Sequence, residues 1–128
     1  MIRSQYFFRQ SDRGLLAWDV RRLIELSRDF PVVNIPLADI SEIDEAHWYA
    51  HEGDSPTCRS HLEHMQLIED VDTRFPIILD RDGRVMDGMH RVCRALRDGD
   101  REIPAVQFAV TPDPDYVGRR PDELPYDA

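Results

Sequence analysis

Apolar residues recur along the chain at two periods, and the alternation between them sets out the elements. Leu16, Val20, Leu23 and Ile24 fall at helical spacing, with Asp19 placed as an N-cap, which predicts a helix over residues 16–29 ended by Pro31. Residues 32–37 are short, β-branched and followed by a proline turn, which predicts a first strand; a helical turn is expected over 44–51. After the break at Gly53-Asp54-Ser55-Pro56, a helix over 56–71 has Ser55 as N-cap and turns Cys58, Leu62, Met65 and Ile68 toward the core. Residues 75–79 form a continuous apolar run that meets Asp80-Arg81-Asp82-Gly83, the chemistry of a hairpin turn into a short strand over 84–87. A helix over 89–97 buries Met89, Val92, Cys93 and Leu96 and ends at Gly99, and residues 103–110 supply a last strand.

These elements make an α+β fold, a small mixed sheet with packed helices, occupying 31–110. Residues 1–30 read as an N-terminal helical extension, and 111–128, rich in Pro and Asp, as an extended tail. At 128 residues the chain is of single-domain size.

Composition narrows the chemistry. All 16 basic residues are arginine, which excludes lysine Schiff bases and the P-loop lysine, so a phosphate contact must come from arginine, histidine or backbone amides. The net charge is −9, and residues 35–75 concentrate it, with ten acids against two arginines. Duplex DNA is therefore an unlikely partner. Two cysteines and no apolar run near the ~18 residues of a membrane span, with no signal-peptide pattern, make a cytoplasmic chain with reduced thiols the expectation.

Candidate chemistry centres on Asp87-Gly88-Met89-His90-Arg91, where a strand ends and a helix begins. A helix N-terminus offers unpaired amides and a partial positive charge; Gly88 lets the backbone approach a ligand, Arg91 can bind phosphate through two donors, and His90 donates when protonated. Asp87 would cap the helix or help hold Mg²⁺ beside a nucleotide. Solvated side chains on a capped turn are the plain alternative. His47 with His51, and Cys58 with His61 and His64, have spacings a zinc ion could use, although core or pocket histidines are commoner, and His61 or His64 could instead face a ligand.

The order of elements, with Asn34-Ile35-Pro36-Leu37, Phe75-Pro76-Ile77-Ile78-Leu79 and above all Asp87-Gly88-Met89-His90-Arg91, resembles the ParB/sulfiredoxin-like superfamily. That resemblance implies a nucleotide, ATP, ADP or CTP, whose phosphates lie on Asp87, Gly88, Met89, His90 and Arg91. The motif is nearest the free-serine kinase branch, which has His where this chain has Met89; sulfiredoxin has its catalytic cysteine there, and Met89 cannot attack a phosphoryl group. By the kinase comparison, Glu42 or Glu45 would be the catalytic acid, transferring a phosphoryl group to a small hydroxylated acceptor. A non-catalytic nucleotide-sensing or protein-interaction module is the alternative, a DNA-partition protein is disfavoured by charge, and homodimer formation is left open.

Overall fold

A computed structural model describes residues 5–49 and 55–126. Its first element is a hairpin. β1 (Tyr6–Ser11) pairs antiparallel with β2 (Gly14–Asp19), and the turn is closed by the Ser11 hydroxyl, which donates to the Gly14 carbonyl at 2.6 Å. The expected N-terminal helical extension over 1–30 is thus corrected: of its described residues, 5–30, only α1 (Val20–Ser27) is helical, capped as anticipated by Asp19, whose carboxylate accepts from the Arg21 amide at 2.9 Å. Leu16 and Val20 do lie four apart, but Leu16 and Trp18 point to one side of a strand and Ala17 to the other. A period of two over six residues outweighs the coincidence.

A second sheet has the order β3-β6-β4-β5, from β3 (Val33–Pro36), β4 (Ile77–Leu79), β5 (Val85–Asp87) and β6 (Glu102–Gln107). β4 and β5 form an antiparallel hairpin, and α3 (Met89–Arg97) carries the chain across so that β6 runs parallel to β4. The all-apolar β4 follows from burial on both faces. Ile77 and Leu79 pack with Met89, Val92 and Ala95 of α3, while Ile78 packs with Leu16, Trp18 and Leu23.

Of the expected extended tail, residues 111–126 pack against the hairpin. β7 (Tyr116–Val117) extends the first sheet beside β2, the Asp19 amide donates to Asp115 at 2.7 Å, the Trp18 indole donates to the Pro112 carbonyl at 2.8 Å, and Leu124 is buried. The Tyr6 hydroxyl donates to the Pro125 carbonyl.

α2 (Cys58–Asp70) corrects two further expectations. Its N-cap is Thr57, in a reciprocal box with Ser60, and not Ser55. Its inner face is His64 with Leu67 and Ile68, leaving Leu62 and Met65 at 64% and 52% exposure. Contacts with α3 set that rotation: the Arg94 guanidinium donates to the Glu69 carbonyl at 2.8 Å, closing the end of α2, and Arg97 pairs with the Glu69 carboxylate at 2.6 Å. Leu96, expected inside, is also exposed. The turn expected over 44–51 is found as the 3₁₀ turn His47–Tyr49, with residues 50 and 51 outside the described residues; two further 3₁₀ turns, Leu37–Asp39 and Ser41–Asp44, precede it.

Candidate functional site

A cleft of about 470 Å³ opens where β5 ends and α3 begins, between the hairpin, the His47–Tyr49 turn and α2. Asp87, Gly88, Met89, His90 and Arg91 all line it. Gly88 sits at the N-cap of α3 with φ of 104°, a left-handed backbone. A β-carbon there would come within 2.7 Å of both Arg91 Nη2 and Ile77 Cγ2. The space Gly88 frees is therefore filled by the protein's own Arg91, which lies across the turn.

Arg91 Nη2 donates to Asp87 Oδ2 at 3.0 Å and to the Pro76 carbonyl at 3.2 Å. Asp87 thus does not cap α3: its carboxylate holds Arg91, and no side chain caps the helix. The first amides of α3 are left facing the cleft without a side-chain acceptor. Among the described residues, Arg91 Nε is the one buried side-chain polar atom with no hydrogen-bond partner. The Met89 side chain belongs to the core, so its backbone amide is its polar contribution.

His90 is not the free cation expected from sequence. Its Nε2 lies 2.8 Å from Nδ1 of His64, and the Trp48 indole stacks over both rings, 4.1 Å from His64 and 4.5 Å from His90. Burial first, then His64, His47 and Arg91, push the His90 imidazole down to about 4, and burial lowers His64 as well. Both rings are neutral near pH 7. Tyr49 completes the wall, its ring edge-on to His64 and its hydroxyl 3.0 Å from Ser60 Oγ.

Glu42 and Glu45 lie elsewhere. Glu42 is 2% exposed; one carboxylate oxygen accepts from the Val85 amide and the other from the Ser41 hydroxyl at 3.3 Å. Glu45 is exposed and held in a two-point pair with Arg84 at 2.6 and 3.0 Å, which keeps its carboxyl below the usual range. Both line a second cleft of about 210 Å³ that shares Phe7, Phe8, His47 and Val85 with the first. The structure does not bring either acid to the wall formed by Gly88, His90 and Arg91.

Cys58 and His61 are exposed while His64 is buried, and His51 lies outside the described residues. Among the described residues no three His, Cys, Asp or Glu side chains could hold a metal ion. Asp87 is the one carboxylate lining the larger cleft among them, so Mg²⁺ would have to arrive with a ligand's own oxygens. Trp48, Tyr49 and the hairpin aromatics Tyr6 and Phe7 were not anticipated; the signal available was the run His47-Trp48-Tyr49, aromatic throughout in an acidic stretch.

No family model matches the chain, and no curated protein matches it. Among solved structures it is similar to a Pnob8-like ParB-N domain, at 15% identity and a TM-score of 0.35, over 61% of this chain and 29% of that one. The chain therefore spans under a third of that protein's length. No described helix is long and apolar enough to cross a membrane.

Proposed function

We propose that the larger cleft binds a nucleoside phosphate, ATP, ADP or CTP, with its phosphates on the first turn of α3 and its base against the aromatic wall. One observation carries this: a nine-residue helix whose N-terminus no side chain caps, with Arg91 beside it, opens on a cleft of about 470 Å³ walled by Trp48, Phe7 and Tyr6. Asp87 balances Arg91 within the protein, so the amides and the unpartnered Nε supply the attraction that is left. Phosphoryl transfer to a small hydroxylated acceptor is the further step that the adjoining cleft, with Glu45 at its rim, would serve; Glu42 could act as a base only by releasing the Val85 amide.

Calorimetric titration with ATP, ADP and CTP, with and without Mg²⁺, tests the binding. Arg91→Ala is expected to weaken affinity at least about tenfold, in line with loss of a charge-assisted contact, and Trp48→Ala to weaken it severalfold through lost stacking. Absence of binding by every nucleotide, or wild-type affinity in a folded Arg91→Ala protein, rejects it.

A further inference from the structure

His64 and His90 do more than line the cleft. Their ring centroids are 5.1 Å apart and their planes only 23° from parallel, while the facing nitrogens are 2.8 Å apart. Rings so nearly coplanar and so far apart meet edge to edge, joined by one N–H···N bond along the line of the two nitrogens. One ring donates and the other accepts, an arrangement open to the neutral pair and to the singly protonated one. A single added proton goes to the outer nitrogen of the donor ring and keeps the bridge; a second would put hydrogen on both facing nitrogens and break it. One extra proton is thus the most the pair can hold with its bridge intact. Trp48 presents its face to both rings, a surface that stabilises an imidazolium.

Among the groups around the pair, Glu63 is the negative charge that favours its protonation, and the cations oppose it. On its own element Arg91 repels a proton, and Asp87 is engaged by Arg91. From α2, Glu63 favours the charged form of His64 and His61 opposes it; from the neighbouring turn His47 opposes protonation of both rings. From the hairpin and the tail come the phenols of Tyr6 and Tyr126, both raised chiefly by burial and neutral throughout. His90 stands in the first turn of α3, the place offered to an anion.

We propose that the His64–His90 pair takes up one proton from solvent when an anionic ligand settles on the first turn of α3, so that binding in this cleft is proton-coupled. This rests on the nucleoside-phosphate reading and adds a residue to it, His64, together with a charge state. The proton comes from water or buffer, and no covalent bond changes.

Two measurements test it. In calorimetry with ADP at about pH 6, repeated in two buffers of different ionisation enthalpy, the wild-type protein should take up about half to one proton more than His64→Gln or His90→Gln. Its affinity should tighten about three- to tenfold from about pH 7.5 to 6, a slope both variants flatten. The second measurement needs no variant of the pair. Sulfate does not titrate in this range, and adding it should move the pH midpoint of Trp48 fluorescence quenching upward by about a unit or more, Trp48→Phe identifying the signal. ADP binding with the same proton count in all three proteins, or a quenching midpoint unmoved by saturating sulfate, overturns the coupling and leaves the nucleotide cleft standing. No binding of either probe overturns both.

Discussion

Two turns of this chain begin alike and end differently. Both put an aspartate at the end of a strand and a left-handed glycine soon after: Asp80 with Gly83 between β4 and β5, Asp87 with Gly88 between β5 and α3. At the first, every backbone amide of the turn is answered. Asp80 is 1% exposed and accepts from Arg9 Nη2 at 2.8 Å, the Asp82 amide at 2.8 Å and the Arg84 amide at 2.9 Å. At the second, the aspartate holds one arginine, the helix has no side-chain cap and a buried Nε has no partner. One turn closes the sheet; the other leaves donors for something else. The contrast separates a turn built for stability from a turn built for a ligand.

The largest test of that contrast is removal of each carboxylate. Asp80→Ala leaves two amides and the Arg9 guanidinium without their acceptor and should lower stability by about 3 kcal/mol, a fall in melting temperature on the order of 10 °C. Asp87→Ala, which leaves the half-buried Arg91 with only the Pro76 carbonyl as acceptor, should cost less, about 1–2 kcal/mol or on the order of 5 °C, while tightening nucleotide or sulfate binding, because it takes a negative charge from the cleft. Thermal melts of the two variants check this; equal destabilisation would erase the distinction.

Alanine at the two glycines sharpens it. Both backbones are left-handed, but a β-carbon at Gly83 meets nothing closer than 4.0 Å, whereas at Gly88 it meets Arg91 and Ile77 at 2.7 Å. Gly83→Ala should lose about 1 kcal/mol and Gly88→Ala about 2–3 kcal/mol in chemical denaturation, and only the latter should displace Arg91 and weaken ligand binding.

The smallest effect is in pH. The folded His90 is lowered to about 4, against about 6.5 when unfolded, so below 6.5 the unfolded chain binds more protons and stability falls as pH drops from about 6.5 to 4. Because the ring is partly exposed, the loss should be no more than a few degrees of melting temperature, and His90→Gln should shrink that slope. An unchanged slope would place the sensitivity elsewhere.

How much of this was legible in the sequence differs between the same two turns. Asp80-Arg81-Asp82-Gly83 and Gly88 announce themselves because turn residues act locally. The limits of α3, from Met89 to Arg97, are set by Gly88 and Gly99 and were read as they stand. What could not be read was tertiary. The stripe Leu62 and Met65 faces outward because α3, not hydrophobicity, orients α2. Glu42 looked like one acid in an acidic stretch, yet it closes a buried bond to Val85, forty-three positions on. Nothing local marks His64 as the partner of His90, since the contact joins two helices; and the hairpin was hidden because Leu16, Val20 and Leu23 mimic a helical period.

The joining of the tail to the hairpin has a consequence in time. Leu16 pairs with Val117, and Tyr6, Phe7 and Tyr126 line the same cleft as Gly88 and Arg91. The β4–β5 hairpin and α3 assemble from neighbours in the chain, whereas the first sheet must bring together β2 and β7, about a hundred positions apart, the kind of loop closure that comes late. A chain emerging from the ribosome can thus complete its mixed sheet while its cleft still lacks a wall. Competence to hold a ligand is then acquired late, when β7 and Tyr126 dock on the hairpin.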